Sequence, residues 1–294
     1  MSARHDVPRH DVLRREALRH DALARLHALR TVDLAQLNAA AELQTRVDRK
    51  YLLPASALPA VLAALPQGSE VLEIGGEQAL RYASQYYDTP DLDSYFGAAR
   101  GRRRRFKVRA RTYVDSGGSF LEVKTRGGRS ATVKERVPVE GDVLDGDAVA
   151  YAVDLLSDAG IPGAADLAAR LEPVLVTRYR RATLLLPATA DGDASRATID
   201  LDLAWVGADG RTLTLPASVI VETKSGQRAG ALDRTLWRHG HRPASLSKYG
   251  TGMAALHPAL PSHKWRRSLT RHFAAGTITP PVTSPITSPI SSAA

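Results

Sequence analysis

Phe106-Lys107-Val108-Arg109-Ala110-Arg111 alternates apolar and cationic side chains at every step. A period of two is that of a β-strand, whose successive side chains point to opposite faces. Five further stretches repeat the pattern. Glu122, Lys124 and Arg126 alternate with Leu121 and Val123, and Lys134 and Arg136 with Val133 and Val137. Arg178 and Arg180 open another run. Arg196, Asp200 and Asp202 alternate with Ala197, Ile199, Leu201 and Leu203, and Glu222 and Lys224 with Val219, Val221 and Thr223. One such strand is an ordinary half-solvated sheet. Six of them, with cations concentrated on one face and carboxylates recurring among them, predict a curled sheet. Its charged face lines a channel and its apolar face packs outward under helices. A channel dense in Arg and Lys needs an anion to neutralise it, and a phosphate chain is the obvious candidate. Same-face side chains stand about 6.5–7 Å apart, and Arg forks onto phosphate oxygens with fixed geometry.

The chain of 294 residues is 44% apolar and 5% aromatic, so Leu, Val and Ala must fill most of its core. A formal net charge of +9 favours an anionic partner. Without Cys there is no disulfide framework, thiolate chemistry or Cys-ligated metal. No apolar run approaches the roughly 18–20 residues that span a bilayer, and no secretory signal is expected. The expected location is cytoplasmic.

Residues 1–30 read as a basic arm, helical or disordered, with a loose Arg-His-Asp repeat. Residues 276–294, with a doubled Thr-Ser-Pro-Ile, read as a disordered tail. Between them, 31–275 carries eight or nine strands: Thr45–Leu53, Ala79–Tyr87, Arg100–Val114, Ser119–Arg126, Ser130–Val139, Val174–Leu186, Arg196–Ala204, Thr212–Leu215 and Val219–Thr223. Helices are expected within Thr31–Leu43, Ala55–Leu65, Asp142–Arg170 and Gly230–His239, with a closing helix after Ser245–Leu256. So many short strands fit an α+β fold, mainly antiparallel β, closed into a barrel with peripheral helices.

The Glu-x-Lys pairs Glu122/Lys124 and Glu222/Lys224 recur in matching contexts. Such a Glu can bind a divalent cation through oxygen while the Lys neutralises phosphate; equally, the two pairs can be cross-strand salt bridges. Asp200 can share a metal with Glu222 or pair with nearby Arg and Lys, and Asp202 is a weaker version of the same. Ser245-Leu246-Ser247-Lys248-Tyr249-Gly250 offers hydroxyls, an ammonium and a turn suited to a terminal phosphate or nucleotide. There is no Walker pattern and no metalloprotease or dinucleotide fingerprint. The cationic strand faces lack interleaved aromatics, which argues against a nucleic-acid partner.

In order, these segments resemble the VTC domain, the polyphosphate polymerase module of vacuolar transporter chaperone complexes. That domain is one of the triphosphate tunnel metalloenzymes, or CYTH-like proteins. The matching stretches are Arg46–Leu53, Gln85–Tyr95, Lys107–Thr112, Phe120–Arg126, Thr132–Val137, Thr177–Arg181, Arg196–Leu203, Val219–Gly226 and Ser245–Met253. The resemblance implies an eight-stranded closed tunnel with a charged interior, a divalent metal (Mn²⁺ or Mg²⁺), and ATP and polyphosphate as substrates. Lys50, Arg109, Arg111, Lys124, Lys134, Arg178 and Arg196 would hold phosphates, with Arg180 and Lys224 beside them. Glu222 would bind the metal, with Glu122 and Asp200 as further candidate ligands. Ser247 and Lys248 would meet the nucleotide or growing chain. Hydrolytic relatives open with Glu-x-Glu-x-Lys, where this chain has Arg46, Asp48 and Lys50. The missing first acid favours a polymerase-like branch over a triphosphatase. The eukaryotic family carries a sensor domain before the tunnel and membrane helices after it. Here no transmembrane segment is expected, so a separate membrane partner would take that place.

Overall fold

The computed structural model describes residues 17, 20–40, 47–126, 132–189 and 192–281. The expected arm up to residue 16, Arg46, the Gly127-Gly128 turn and the Thr-Ser-Pro-Ile repeats lie outside the described residues.

After helical residues 20–27, the chain runs through β1 (Arg30–Val32), α1 (Leu34–Ala40), β2 (Val47–Pro54), α2 (Leu58–Ala63), β3 (Glu70–Leu72) and β4 (Leu80–Asp88). Next come α3 (Asp93–Ala99), β5 (Arg105–Tyr113), β6 (Ser119–Arg126), β7 (Thr132–Val139), α4 (Gly146–Asp158) and α5 (Ala164–Ala169). The remainder is β8 (Glu172–Leu186), β9 (Ser195–Gly207), β10 (Thr212–Thr214), β11 (Ser218–Ser225), α6 (Ala231–Arg238), α7 (Lys248–Leu256), α8 (Arg266–His272) and β12 (Thr277–Thr279). Hydrogen bonding links the twelve strands into one sheet, in which β1 and β3 pair in parallel and β2–β11, β9–β11, β9–β10, β10–β12, β3–β8 and the meander β4–β5–β6–β7 pair antiparallel. Among the described residues this sheet does not close on itself, so the closed eight-stranded tunnel is met only as a large, mostly antiparallel sheet with helices.

Three short strands depart from expectation. β1 lies where helix was expected, and β3 was not anticipated; they pair with each other, Arg30 opposite Glu70. β12 lies in the expected disordered tail and pairs with β10, Ile278 opposite Leu213. Three-residue strands carry too few side chains to show a period.

The chain folds as two compact units with interleaved segments. One comprises Met1–Leu80, Arg180–Asp202 and Leu215–Ala244. In it β11 pairs with β2 on one side and β9 on the other. Opposed residues share a sheet face. One face therefore carries Tyr51, Leu53, Val219, Val221, Ala197, Ile199 and Leu201, all buried in a core with Leu58, Val61 and Leu62 of α2 and Leu232 and Leu236 of α6. Asp48, Lys50, Glu222, Lys224, Arg196, Thr198 and Asp200 occupy the other face. Asp233 fastens α6 to the sheet. Its buried carboxylate accepts from Tyr51 Oη at 2.7 Å, Thr223 Oγ1 at 2.5 Å and Gly230 N at 2.8 Å.

The second unit comprises Arg81–Tyr179, Leu203–Thr214 and Ser245–Ala294. Its centre is the meander β4–β5–β6–β7. Phe106, Val108, Ala110, Leu121 and Val123 form the apolar face and pack on Ala148, Ala152 and Leu156 of α4 and Ala164 and Ala168 of α5. Asp145 starts α4 by accepting from Ala148 N at 2.7 Å, an N-cap worth about 1 kcal/mol. Lys107, Arg109, Arg111, Glu122, Lys124, Lys134 and Arg136 share the opposite face, as the alternation required.

Candidate anion-holding face

Glu122 is the centre of the second unit's charged face. Its side chain is 2% exposed. Arg109 donates to Oε2 through Nε at 2.7 Å, Lys134 Nζ donates to Oε1 at 2.9 Å, and Arg111 Nη2 stands 3.7 Å from Oε2. Burial alone would raise the Glu122 carboxyl, but the charges of Arg109, Arg111 and Lys134 outweigh it. They hold Glu122 well below the ordinary carboxylate range. Burial lowers the Lys134 ammonium to about 8, because Arg109 and Arg111 repel it and Glu122 only partly compensates. Arg109 also donates through Nη1 to Tyr86 Oη at 2.9 Å. Arg111 is 8% exposed, and its buried Nε has no hydrogen-bond partner. Such an orphaned donor suits an incoming anion. Beside this cluster, Lys107, Lys124 and Lys134 form one cross-strand row.

Ser247 and Lys248 begin α7. Ser247 Oγ caps the helix by accepting from Gly250 N at 3.2 Å and also accepts from Lys107 Nζ at 2.9 Å. Lys248 Nζ lies 4.5 Å from the centre of the Tyr179 ring, and its carbonyl accepts from Trp205 Nε1 at 2.8 Å. The next residue, Tyr249, donates its hydroxyl to Asp88. Asp88 is fully buried and accepts three backbone N–H groups, from Thr89, Ser94 and Tyr95, at 2.8–2.9 Å. Burial raises its carboxyl, and the four donors oppose that shift. This pair fixes the start of α7, and with it Ser247 and Lys248.

In the first unit the carboxylates are likewise ion-paired. Lys50 Nζ lies 3.2 Å from Glu222 Oε1, directly opposite it in the strand register. Asp200, fully buried, accepts a two-pronged fork from Arg181 at 2.6 and 2.9 Å. Arg196 Nη2 donates to Leu37 O and Asn38 Oδ1, and Lys224 stands opposite Arg196 and Asp48. Arg178 is exposed, and Arg180 donates to Ala79 O at 3.2 Å. Both are in phase with Ala182 and Leu184 of the apolar core, whereas Arg181 is in phase with the charges. Sequence reasoning singled out Arg178 and Arg180 and missed Arg181. The two consecutive arginines after Tyr179 were the available signal, since one of any such pair must face each side.

Among the described residues no three His, Cys, Asp or Glu side chains converge to hold a metal. Glu122 and Asp200, the further candidate ligands, have their oxygens engaged by arginine and lysine. Glu222, 15% exposed and 3.2 Å from Lys50 Nζ, is the most accessible of the three candidate carboxylates, against 2% for Glu122 and 0% for Asp200. That suits Mg²⁺-type binding, where substrate phosphates supply much of the shell.

Each unit thus presents a sheet face on which Arg, Lys and carboxylate side chains are ion-paired. The VTC domain family model matches residues 45–257, and the chain belongs to that family. Among solved structures it resembles a candidate adenylate cyclase from Bacillus halodurans, at 11% identity and a TM-score of 0.43, covering 69% of this chain and 94% of that one. It also resembles a candidate adenylyl cyclase from Hippeastrum, described as having a dominant triphosphatase activity. There the identity is 15% and the TM-score 0.39, covering 75% of this chain and 100% of that one. The PH1819 protein of Pyrococcus horikoshii aligns at 14% identity and a TM-score of 0.36, over 67% of this chain and 92% of that one. No curated protein matches the sequence. The family assignment rests on the family model alone. Among the described residues no helix is long and apolar enough to cross a membrane.

Proposed function

We propose that the chain is a polyphosphate polymerase-like phosphotransferase, moving the γ-phosphoryl group of ATP to the end of a polyphosphate chain on a cationic face enclosed as a tunnel. The observation that carries this reading is the Glu122 cluster. One buried carboxylate preorganises Arg109, Arg111 and Lys134, and Arg111 keeps an unpartnered N–H. Phosphoryl transfer asks the protein mainly for positioning and charge neutralisation. A terminal phosphate oxygen of the chain forms the new bond to the γ-phosphorus, and the bond from phosphorus to the ADP oxygen breaks. ADP leaves with that electron pair. The attacking oxygen is already ionised, so no general base is required.

In this reading Arg109, Arg111, Lys124 and Lys134 hold and align phosphates, and Lys107, Ser247 and Lys248 meet the nucleotide or chain end. Lys50, Arg196 and Lys224 supply further cationic contacts. Glu222 would hold the divalent cation, Mn²⁺ or Mg²⁺, which when bound supplies neutralisation of phosphate oxygens. Glu122 and Asp200 serve as anchors for arginines. Residence in the cytoplasm, with attachment to a membrane through a separate partner, belongs to the same proposal.

The test is incubation with ATP and Mn²⁺, with products resolved by length. Growing chains that vanish in Glu222→Ala support the polymerase. Free phosphate without growth would replace it with a triphosphatase. Wild-type turnover in both Arg109→Ala and Lys124→Ala would remove the site.

A further inference from the structure

The charged face of β5 and β6 continues past the Glu122 cluster to Arg105 and Arg126, which stand directly opposite each other. Like charges so placed destabilise a sheet. At the Glu122 end a carboxylate relieves the repulsion. At the Arg105 end a third cation adds to it. Lys264 Nζ donates to Ala98 O at 2.8 Å, at the end of α3. The adjoining Gly97 backs onto this strand end so closely that a Cβ there would lie 3.4 Å from the Arg105 Cβ. The ion pairs among the described residues include none of these three cations. Arg126 Nε is buried with no hydrogen-bond partner. Burial, together with the charges of Arg105 and Arg126, lowers the Lys264 ammonium. Arg102, Arg103 and Arg104 are exposed just before the strand. A cluster held together against its own repulsion, with no internal anion, is completed by an anion from outside.

We propose that Arg105, Arg126 and Lys264 form an outer phosphate site, which holds the distal part of a long polyphosphate and makes the protein discriminate by chain length. The proposal rests on reading the charged face as a polyphosphate path. Arg105 lies six residues from Arg111, about 20 Å along the strand. A ligand must therefore be extended and polyanionic to engage both ends, and a triphosphate held at Arg109 and Arg111 falls short. Lys264 lies beyond residues 45–257 of the family match, whereas Arg105 and Arg126 lie within it.

Calorimetric titration of the full chain with inorganic tripolyphosphate and with long inorganic polyphosphate, at fixed salt, tests the proposal. Lys264→Gln keeps an N–H donor for Ala98 O, and Arg126→Gln keeps the strand; each is expected to weaken long-chain binding roughly tenfold. Tripolyphosphate binding is expected to stay at the wild-type value, which also shows that the variants are folded. Lys264→Arg should restore long-chain binding. Equal losses for both lengths, or none for either, would overturn the outer site while leaving the reading of the face intact. If wild-type protein binds neither ligand, the reading itself fails. Tighter binding of a single-stranded oligonucleotide, lost in the same variants, would overturn the proposal in favour of a nucleic-acid site.

Discussion

Glu122 and Lys134 sit 2.9 Å apart, yet both their pKa values are lowered: burial, with the two arginines, lowers Lys134, and the surrounding cations lower Glu122. Glu122 contributes stability that is fully present above its unfolded pKa. That contribution is lost as pH falls below the ordinary carboxylate range toward its depressed folded value. Glu122→Gln removes the counter-charge of three cations at once and is expected to destabilise the protein by about 3–5 kcal/mol in urea unfolding. An unchanged midpoint would show that the cluster does not depend on this carboxylate. Lys134, at about 8, loses its proton near the upper end of physiological pH. In the free protein, kcat/KM for ATP should therefore fall as pH rises through about 8, and Lys134→Arg should remove that fall. An identical alkaline limb in the variant would assign it elsewhere. Alternation alone made Arg109, Arg111, Glu122 and Lys134 legible as one face. It could not reveal Asp88, whose partners Ser94, Tyr95 and Tyr249 are joined only by folding.

At the scale of elements, α7 shows what pattern reading leaves out. Its sequence Lys248-Tyr249-Gly250-Thr251-Gly252 suggested a turn, but the glycines are helical and make room for tryptophans. A Cβ at Gly250 would come within 2.3 Å of Trp265, and one at Gly252 within 2.2 Å of Trp205. Gly→Ala in an ordinary helix stabilises by up to about 1 kcal/mol. Here the sign reverses, and Gly252→Ala is expected to cost about 1–3 kcal/mol through overpacking. Thermal unfolding measures it, and a raised Tm would contradict the packing described. The long strands β5, β6, β8, β9 and β11 were legible because each runs for eight residues or more and carries charged side chains on alternate positions. β6 has the expected bounds, Ser119–Arg126. β1, β3 and β12 were not legible: at three residues each, they exist through pairing with distant partners rather than through a local pattern.

For the whole molecule, a net charge of +9 and two charged sheet faces would, on the proposed function, make electrostatics the main determinant of substrate capture. Raising ionic strength should increase KM for a polyphosphate acceptor steeply, with a smaller effect on kcat, because screening weakens encounter more than contacts inside a partly buried site. A salt-independent KM would mean that the cations are structural. The central claim is transfer of the γ-phosphoryl group to a chain rather than to water. Parallel reactions with γ-labelled and α-labelled ATP, in Mn²⁺ or Mg²⁺, test it most directly. The account predicts γ-label in lengthening polyphosphate and α-label remaining in ADP. Label released only as inorganic phosphate, with no labelled polymer, would contradict it.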